Sequence, residues 1–256
     1  MKFFAEAGKY PKAGLFSLGH LLLILVCLLI LYILIRLMIK NKNQAPLKVI
    51  KIISILVLLM EVSKIIWGIS VGRYADWFDY LPLWFCSLFI PLSLMSAFTK
   101  GKLQHVALTF LFYGGIIGGI AYLVFPTTSI GRYPAFHFIS FHSMIYHTLM
   151  IFTGIFALYN DLIKPHIKDL KWYFVITSVF CIISYILNGI LDTNYMFLAS
   201  YSNNPILKIL YEATGKFYPL SIMLFQNLGT FFISLGLYKL LVFLFSKKQI
   251  FVKKSA

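Results

Sequence analysis

The sequence predicts an all-α fold, a polytopic bundle of seven transmembrane helices, from its composition, its long apolar runs and the placement of its charges. Of its 256 residues, 60% are hydrophobic and 12% are charged, whereas soluble domains carry roughly 45–50% apolar and about 25% charged residues. This apolar excess is too large for one water-soluble core. Residues 1–256 are therefore expected to form a single integral membrane domain.

Seven apolar runs of about 20 residues, the length that crosses a bilayer, define the predicted helices. Most prolines lie near the ends of these runs or between them, where proline is tolerated. Pro91 lies inside the third run and predicts a bend there. The predicted spans are residues 16–37, 47–70, 81–98, 104–125, 136–158, 170–191 and 218–245.

The fourth span carries four glycines in two overlapping GxxxG steps. Small residues let helix backbones approach closely in lipid, where apolar surface alone does not drive helices together. The pattern predicts tight helix packing, and a glycine-lined substrate groove is the alternative. The four residues are Gly114, Gly115, Gly118 and Gly119.

The formal net charge of +15 lies mostly in the short segments between apolar runs. The sequence has no basic stripe interleaved with polar surface, so nucleic-acid binding is not expected. Anionic lipid head groups on the cytoplasmic side are the predicted counter-charge. Fourteen lysines and arginines flank the span ends on one side of the bundle and seven flank the other. Since positive charge favours the cytoplasm, the N-terminus is predicted outside and the C-terminus in the cytoplasm.

The three cysteines all lie in apolar runs and lack a CxxC partner, which predicts neither a disulfide framework nor a zinc site. The fifth span contains His137, His142 and His147, spaced by five residues. That spacing does not direct three side chains of one helix to a single ion. No metal and no cofactor are expected.

Polar side chains inside membrane spans are costly, so they usually mark a functional or a paired structural site. Glu61 and Lys64 share a face of the second helix. They either neutralise each other or bind a substrate. With the predicted orientation, these and the other polar residues of the spans lie in outer halves or near mid-span. We therefore predict one polar cavity that opens toward the outer leaflet. The alternative for each single histidine is a core residue whose hydrogen bonds are satisfied within the protein.

Cys86 is the candidate nucleophile. It lies about six residues from the outer end of the third span, roughly 9 Å along a helix axis, and His142 lies at a similar depth in the fifth. A thiol buried in hydrocarbon is inert, but a histidine that takes its proton makes it reactive. The spacing alone leaves a plain buried cysteine and a nucleophile as alternatives.

Four segments occur in an order that is similar to one known family. They are LPLWFCSLFIPL at 81–92, GGIIGGIAYLVFPT at 114–127, YPAFHF at 133–138 and NGILDTNYMFL at 188–198. They resemble the YwaF-like family of bacterial integral membrane proteins, which is related to a vertebrate multi-pass acyltransferase acting on ether phospholipids. The resemblance implies a multi-pass protein of the cell membrane, in bacteria the plasma membrane, with a phospholipid or acyl-chain substrate.

The resemblance also implies site residues. Cys86 would accept the acyl group, and a histidine would act as the base. The segment HTLMIFTGIFALY favours His147, whereas depth in the membrane favours His142. The oxyanion would be stabilised by Ser87, by Asn188 or by Lys64. The predicted substrate-binding residues are Glu61, Lys64, Ser87, His137, Asn188 and Asn194.

A lipid acyltransferase with a cysteine nucleophile is thus the leading functional hypothesis. The first alternative is a non-enzymatic protein that binds or transports a small solute, with Glu61 and Lys64 pairing its charges. Transporters usually carry internal repeats, and no repeat is visible in this sequence. The second alternative is a membrane scaffold or partner subunit, in which the glycines of the fourth span matter and the polar residues do not.

Overall fold

The computed structural model describes residues 2–41, 45–72, 81–202 and 204–254, with the backbone alone for 245–254. All regular structure in this part of the chain is helical, which confirms the predicted fold class. Each of the seven predicted spans contains an α-helix. The α-helices are α1 (Leu18–Lys40), α2 (Pro46–Ser70), α3 (Phe89–Phe98), α4 (Gly101–Val124), α5 (Phe138–Tyr159), α6 (Leu170–Leu191), α7 (Pro205–Thr214), α8 (Tyr218–Leu224) and α9 (Thr230–Lys254).

Several of these helices are long and apolar enough to cross a bilayer, so the chain is a multi-pass membrane protein. The degree of burial distinguishes two central helices, α4 and α5, from the peripheral helices. In α5 72% of the apolar window is buried by the rest of the protein, whereas in α1 only 17% is. The exposed leucines and isoleucines of α1 therefore face lipid. The five qualifying segments within the described residues are Leu18–Lys40, Gly101–Val124, Phe138–Tyr159, Ile167–Leu191 and Pro205–Leu244.

The glycines of α4 allow it to pack closely on α5, as the GxxxG pattern predicts. A Cβ on Gly119 would lie 2.6 Å from Ile151 Cγ1 and 2.8 Å from the His147 carbonyl oxygen. From the other side, a Cβ on Gly154 of α5 would lie 2.7 Å from the Leu111 carbonyl oxygen of α4. Real side chains do not fit at these distances, so both glycines are needed for the approach of the two backbones.

The third span is shorter than the sequence predicts. Residues 81–84 are not helical, a 3₁₀ turn occupies Phe85–Leu88, and α3 begins only at Phe89. Pro82 disfavours the α conformation at Leu81, so the first residue of the predicted span is not expected to be helical. Pro91 does not bend the middle of a helix but lies in the first turn of α3, where a missing N–H costs no hydrogen bond.

The seventh span is interrupted rather than continuous. A π-helical turn at Phe225–Gly229 separates α8 from α9, and π turns in α-helices are frequent at functional sites. The turn buries Gln226, whose Nε2 donates to the Met196 carbonyl oxygen at 2.8 Å. Tyr173 of α6 donates to the Gln226 carbonyl at 3.3 Å. The interruption therefore joins the last span to α6 and to the loop that follows it.

Candidate active site

The 3₁₀ turn that carries Cys86 is held against α4 and α5. Tyr146 of α5 donates from its hydroxyl to the Cys86 carbonyl oxygen at 3.0 Å. The Phe85 ring lies beside Gly118 of α4, where an added Cβ would come within 3.2 Å of it. The Cys86 side chain is partly exposed, and its thiol makes no hydrogen bond to any described residue. The nucleophile predicted from the sequence is thus fixed through its backbone.

His147 lies on α5 next to Tyr146, and only one of its two ring nitrogens forms a hydrogen bond to a described residue. Its Nδ1 lies 2.6 Å from the Ser143 carbonyl oxygen. A carbonyl only accepts, so Nδ1 carries the proton and Nε2 carries a lone pair. Nε2 is buried and has no hydrogen-bond partner among the described residues, in a side chain that is only 6% exposed. An imidazole in this tautomer can accept a proton at Nε2.

His142 lies one and a half turns earlier on α5 and is turned toward α2. Its Nε2 donates to the Met60 carbonyl oxygen at 2.8 Å. The ring also packs near Phe138 and Tyr146, with centroid distances of 5.7 and 6.3 Å. This histidine therefore links α5 to the part of α2 that precedes Glu61.

The predicted charge pair of α2 is present and borders the same region. Lys64 Nζ lies 2.7 Å from Glu61 Oε1, with side chains 24% and 14% exposed. Met60, the residue before Glu61, accepts the hydrogen bond from His142 of α5. The structure thus brings α2, α5 and the Cys86 turn together around Tyr146.

Tyr122 of α4 also belongs to this region, although the sequence pattern did not single it out. Its ring stacks on the His147 imidazole with centroids 3.6 Å apart and planes 4° from parallel. Its position four residues after Gly118, on the same helical face, is the signal that could have identified it.

Two of the remaining predicted site residues lie near this region or at its edge. Ser87 shares the 3₁₀ turn of Cys86 and is partly exposed. His137 lies at the start of α5, where its Nδ1 accepts from Ile139 N at 3.1 Å and its Nε2 donates to the Ala5 carbonyl at 2.9 Å. Both ring nitrogens of His137 thus hold backbone groups.

The two asparagines shape the loop after α6. Asn188 Oδ1 accepts from Tyr195 N at 2.7 Å, and Asn188 Nδ2 donates to the Tyr195 carbonyl at 3.1 Å. Asn194 Oδ1 accepts from the backbone N–H of Ser200 at 2.9 Å. The loop reaches the Cys86 turn through Trp84, whose ring centroid lies 5.1 Å from that of Phe197. Both asparagines therefore hold backbone groups of this loop.

A second polar cluster joins α4 to the start of α6 and was not predicted. Asp169 is 5% exposed and accepts from Tyr113 Oη at 2.9 Å and from His166 N at 2.9 Å. Its other oxygen lies 3.1 Å from His105 Nε2. These bonds tie α4 to the segment that begins α6, which indicates a structural role. Within the described residues, no group of three or more histidine, cysteine or acidic side chains could hold a metal ion.

The helices and the polar region define a multi-pass membrane protein in which Tyr146 contacts both the Cys86 turn and the His147 ring. A comparison with protein-family profiles matches residues 15–237 to the TMEM164 family. The match covers most of the sequence, and the chain belongs to this family. No curated protein matches the chain, and no solved structure does.

Proposed function

We propose that the protein transfers fatty acyl groups between lipids through Cys86. TMEM164 is a vertebrate ether-lipid acyltransferase family, which agrees with the relation implied by the segments at 81–198. One observation carries the proposal. Tyr146 bonds to the Cys86 turn and is the neighbour of His147, whose Nε2 lone pair has no partner among the described residues. The assignment to the YwaF-like branch stays a prediction.

In the first step Cys86 attacks the acyl carbonyl carbon of a phospholipid ester. The thiol proton passes to His147 Nε2, a thioester S–C bond forms, and the ester C–O bond breaks. The imidazolium then gives its proton to the departing alkoxide, which leaves as a lysophospholipid. Catalytic hydrogen bonds commonly shorten only when substrate binds, so the Sγ–Nε2 contact is expected to close in the complex.

In the second step the hydroxyl group of an acceptor lipid attacks the thioester carbonyl. His147 Nε2 takes the hydroxyl proton and returns it to the Cys86 sulfur as the S–C bond breaks. The products are an acylated acceptor and the free thiol, so no oxidant, reductant or cofactor is consumed. An ether lysophospholipid is the acceptor that the family suggests.

The charge pair of α2 has a role in this proposal. Lys64 supplies a positive charge on the helix that His142 contacts and would bind the developing oxyanion or the lipid phosphate, while Glu61 holds the ammonium in place. Ser87, in the turn of Cys86, is a second oxyanion donor. His137, Asn188 and Asn194 would contribute by shaping the surrounding segments.

The test is thioester capture with purified protein in lipid nanodiscs. A phospholipid with an alkyne-labelled acyl chain is supplied with an ether lysophospholipid, and both the labelled protein and the labelled product are quantified. Labelling that is removed by hydroxylamine and absent in Cys86→Ala supports the proposal. Cys181→Ala is the matched control, because that thiol is buried and bonds to Gln226 Oε1 at 3.6 Å. Full transfer activity in Cys86→Ala would falsify the nucleophile, and solute uptake that survives it would favour the transport alternative.

We also propose that anionic lipids bind where two lysines flank Trp172. Lys102 Nζ lies 4.4 Å and Lys171 Nζ 4.7 Å from the ring centroid. Neither lysine forms an ion pair with an acid in the described part of the chain. Tryptophan is enriched at membrane interfaces, and two unpaired ammonium groups beside it suit a phosphate head group. Retention of phosphatidylglycerol during purification, reduced in Lys102→Gln/Lys171→Gln, is the measurement.

A further inference from the structure

Tyr122 covers one face of the His147 imidazole. The two rings are 3.6 Å apart between centroids and only 4° from parallel. Contact over a whole ring face opposes rotation of the imidazole about its Cβ–Cγ bond. On the other side, the Tyr146 ring meets His147 edge-on at a centroid distance of 5.2 Å. His147 is therefore confined by two aromatic side chains from different helices.

The hydroxyl end of Tyr122 is held separately from its backbone. Its Oη lies 2.9 Å from Ser129 Oγ and 3.0 Å from Thr128 Oγ1. Both residues belong to the turn that follows α4, and Ser129 Oγ also lies 3.4 Å from the Pro126 carbonyl. Because the Cα is fixed in α4 and the hydroxyl on this turn, the long axis of the ring is held in place, and the stack on His147 sets the plane of the ring.

The glycines of α4 explain why this tyrosine reaches both halves of the proposed site. Gly118 lies four residues before Tyr122 on one helical face and packs on Phe85, next to Cys86. Gly119 packs on the His147 carbonyl of α5. The face of α4 that ends at Tyr122 is thus the surface on which the Cys86 turn and α5 meet.

We infer that Tyr122 is a positioning residue for His147. It holds the imidazole in the orientation in which Nδ1 donates to Ser143 and the Nε2 lone pair stays available to the site. The consequence for acyl transfer rests on the proposed function, whereas the orientation of the ring does not. The role therefore has a readout that is independent of any activity.

The experiment measures the tautomer of His147 in nanodiscs by NMR of ¹⁵N-histidine-labelled protein, with the signal identified by its loss in His147→Gln. The wild-type ring should be protonated mainly at Nδ1. Tyr122→Leu, which removes the stack, should give a mixture of the two tautomers. Tyr122→Phe, which keeps the stack but loses the bonds to Ser129 and Thr128, should give an intermediate ratio. If the Tyr122→Leu protein does not fold, Tyr122→Phe alone provides the test.

Kinetics with the same variants connect the orientation to acyl transfer. Tyr122→Leu should lower kcat about tenfold, the scale of one lost aromatic contact at the base, with KM changed by less than about twofold because substrate affinity does not depend on the ring orientation. Tyr238→Leu is the control: this partly buried tyrosine of α9 packs on Phe112 of α4 at 6.2 Å, so it removes a comparable contact elsewhere on the same helix.

A wild-type tautomer ratio in every Tyr122 variant that folds would overturn the inference, as would an equal change in Tyr238→Leu. A wild-type protein that transfers no acyl group would refute the proposed function alone. In that case the tautomer ratios still decide the role of Tyr122.

Discussion

At the scale of single residues, one hydrogen bond gives His147 its chemical character. The Ser143 carbonyl lies one helical turn before the imidazole and accepts a hydrogen bond from Nδ1–H, so the ring orientation that keeps this bond also sets the tautomer. His142, on the same helix, uses Nε2 to donate to Met60 of α2. Two histidines five residues apart are therefore oriented by opposite nitrogens. His147 is proposed as the base because its ring stacks on Tyr122 and meets Tyr146, which bonds to the Cys86 turn, whereas His142 bonds to α2.

The two histidines should consequently differ in their kinetic effects. His147→Gln should lower kcat by about 10²–10⁴-fold, the usual contribution of a general base. His142→Gln should lower it by less than about tenfold, mainly through the lost contact with α2. Steady-state acyl transfer by both variants, compared with their melting temperatures, measures the difference. The reverse order of effects would assign the base to His142.

Exchanging the charges of Glu61 and Lys64 distinguishes a pair that only stabilises the fold from a pair that binds substrate. Glu61→Gln leaves a half-buried lysine without its partner and should cost about 2 kcal/mol of stability. Exchanging both residues, Glu61→Lys with Lys64→Glu, restores the pair and should recover most of that loss. If the positive charge at 64 binds the substrate, activity should stay low in the exchanged protein. Recovery of activity along with stability would show a purely structural pair.

At the scale of elements, the contact between α4 and α5 organises the site. These two helices carry Tyr122, Tyr146 and His147, and α4 also supports the Cys86 turn through Gly118. The short α3 begins only at Phe89, which leaves Cys86 in the preceding 3₁₀ turn. Close helix packing and a broken helix therefore contribute to the same site.

Substitution of one glycine tests this contact. Gly119→Ala places a methyl group within 2.8 Å of the His147 carbonyl oxygen, which is backbone and cannot rotate away. The helices must separate, at a cost of about 1–3 kcal/mol, and acyl transfer should fall because His147 moves with α5. Gly236→Ala in α9 meets nothing within 4 Å and should be neutral or slightly stabilising. Thermal unfolding in detergent provides the comparison, and equal effects would contradict the packing role of Gly119.

At the scale of the whole molecule, the lipid-facing helices surround a polar interior. Long apolar stretches of α1 and α6 are exposed, while the histidines of α5 are buried among other helices. Polar groups in hydrocarbon are tolerated when they face the bundle interior. The bundle therefore provides a protected region in which a thiol and an imidazole can meet a lipid ester.

The orientation of the bundle is a further prediction. The excess of lysine and arginine on one side places the N-terminus outside and the C-terminus in the cytoplasm of a plasma membrane. Lys9 and Lys168 are both exposed and lie on opposite predicted sides. In whole cells, an impermeant maleimide should label Lys9→Cys at once, and Lys168→Cys only after permeabilisation. The opposite pattern would invert the topology and place the proposed site near the inner leaflet.

The sequence by itself determined the membrane class and the approximate spans, because hydropathy is a local property of the chain. The role of Cys86 as nucleophile stays a prediction. The sequence also indicated the Glu61–Lys64 pair, because side chains three residues apart on a helix are close enough to contact each other. It did not predict α7 or the π turn in the last span, because both depend on how the chain packs after α6.

Only the tertiary structure decided which polar groups meet. Tyr122 and His147 are 25 positions apart and stack because α4 and α5 approach at their glycines. Asn188 and Asn194, which carry the most specific sequence segment, turned out to fold a loop through backbone hydrogen bonds. The physical reason is that periodicity fixes the face of each helix but not its rotation against its neighbours. That rotation is set by interhelical packing, which no single segment of the sequence encodes.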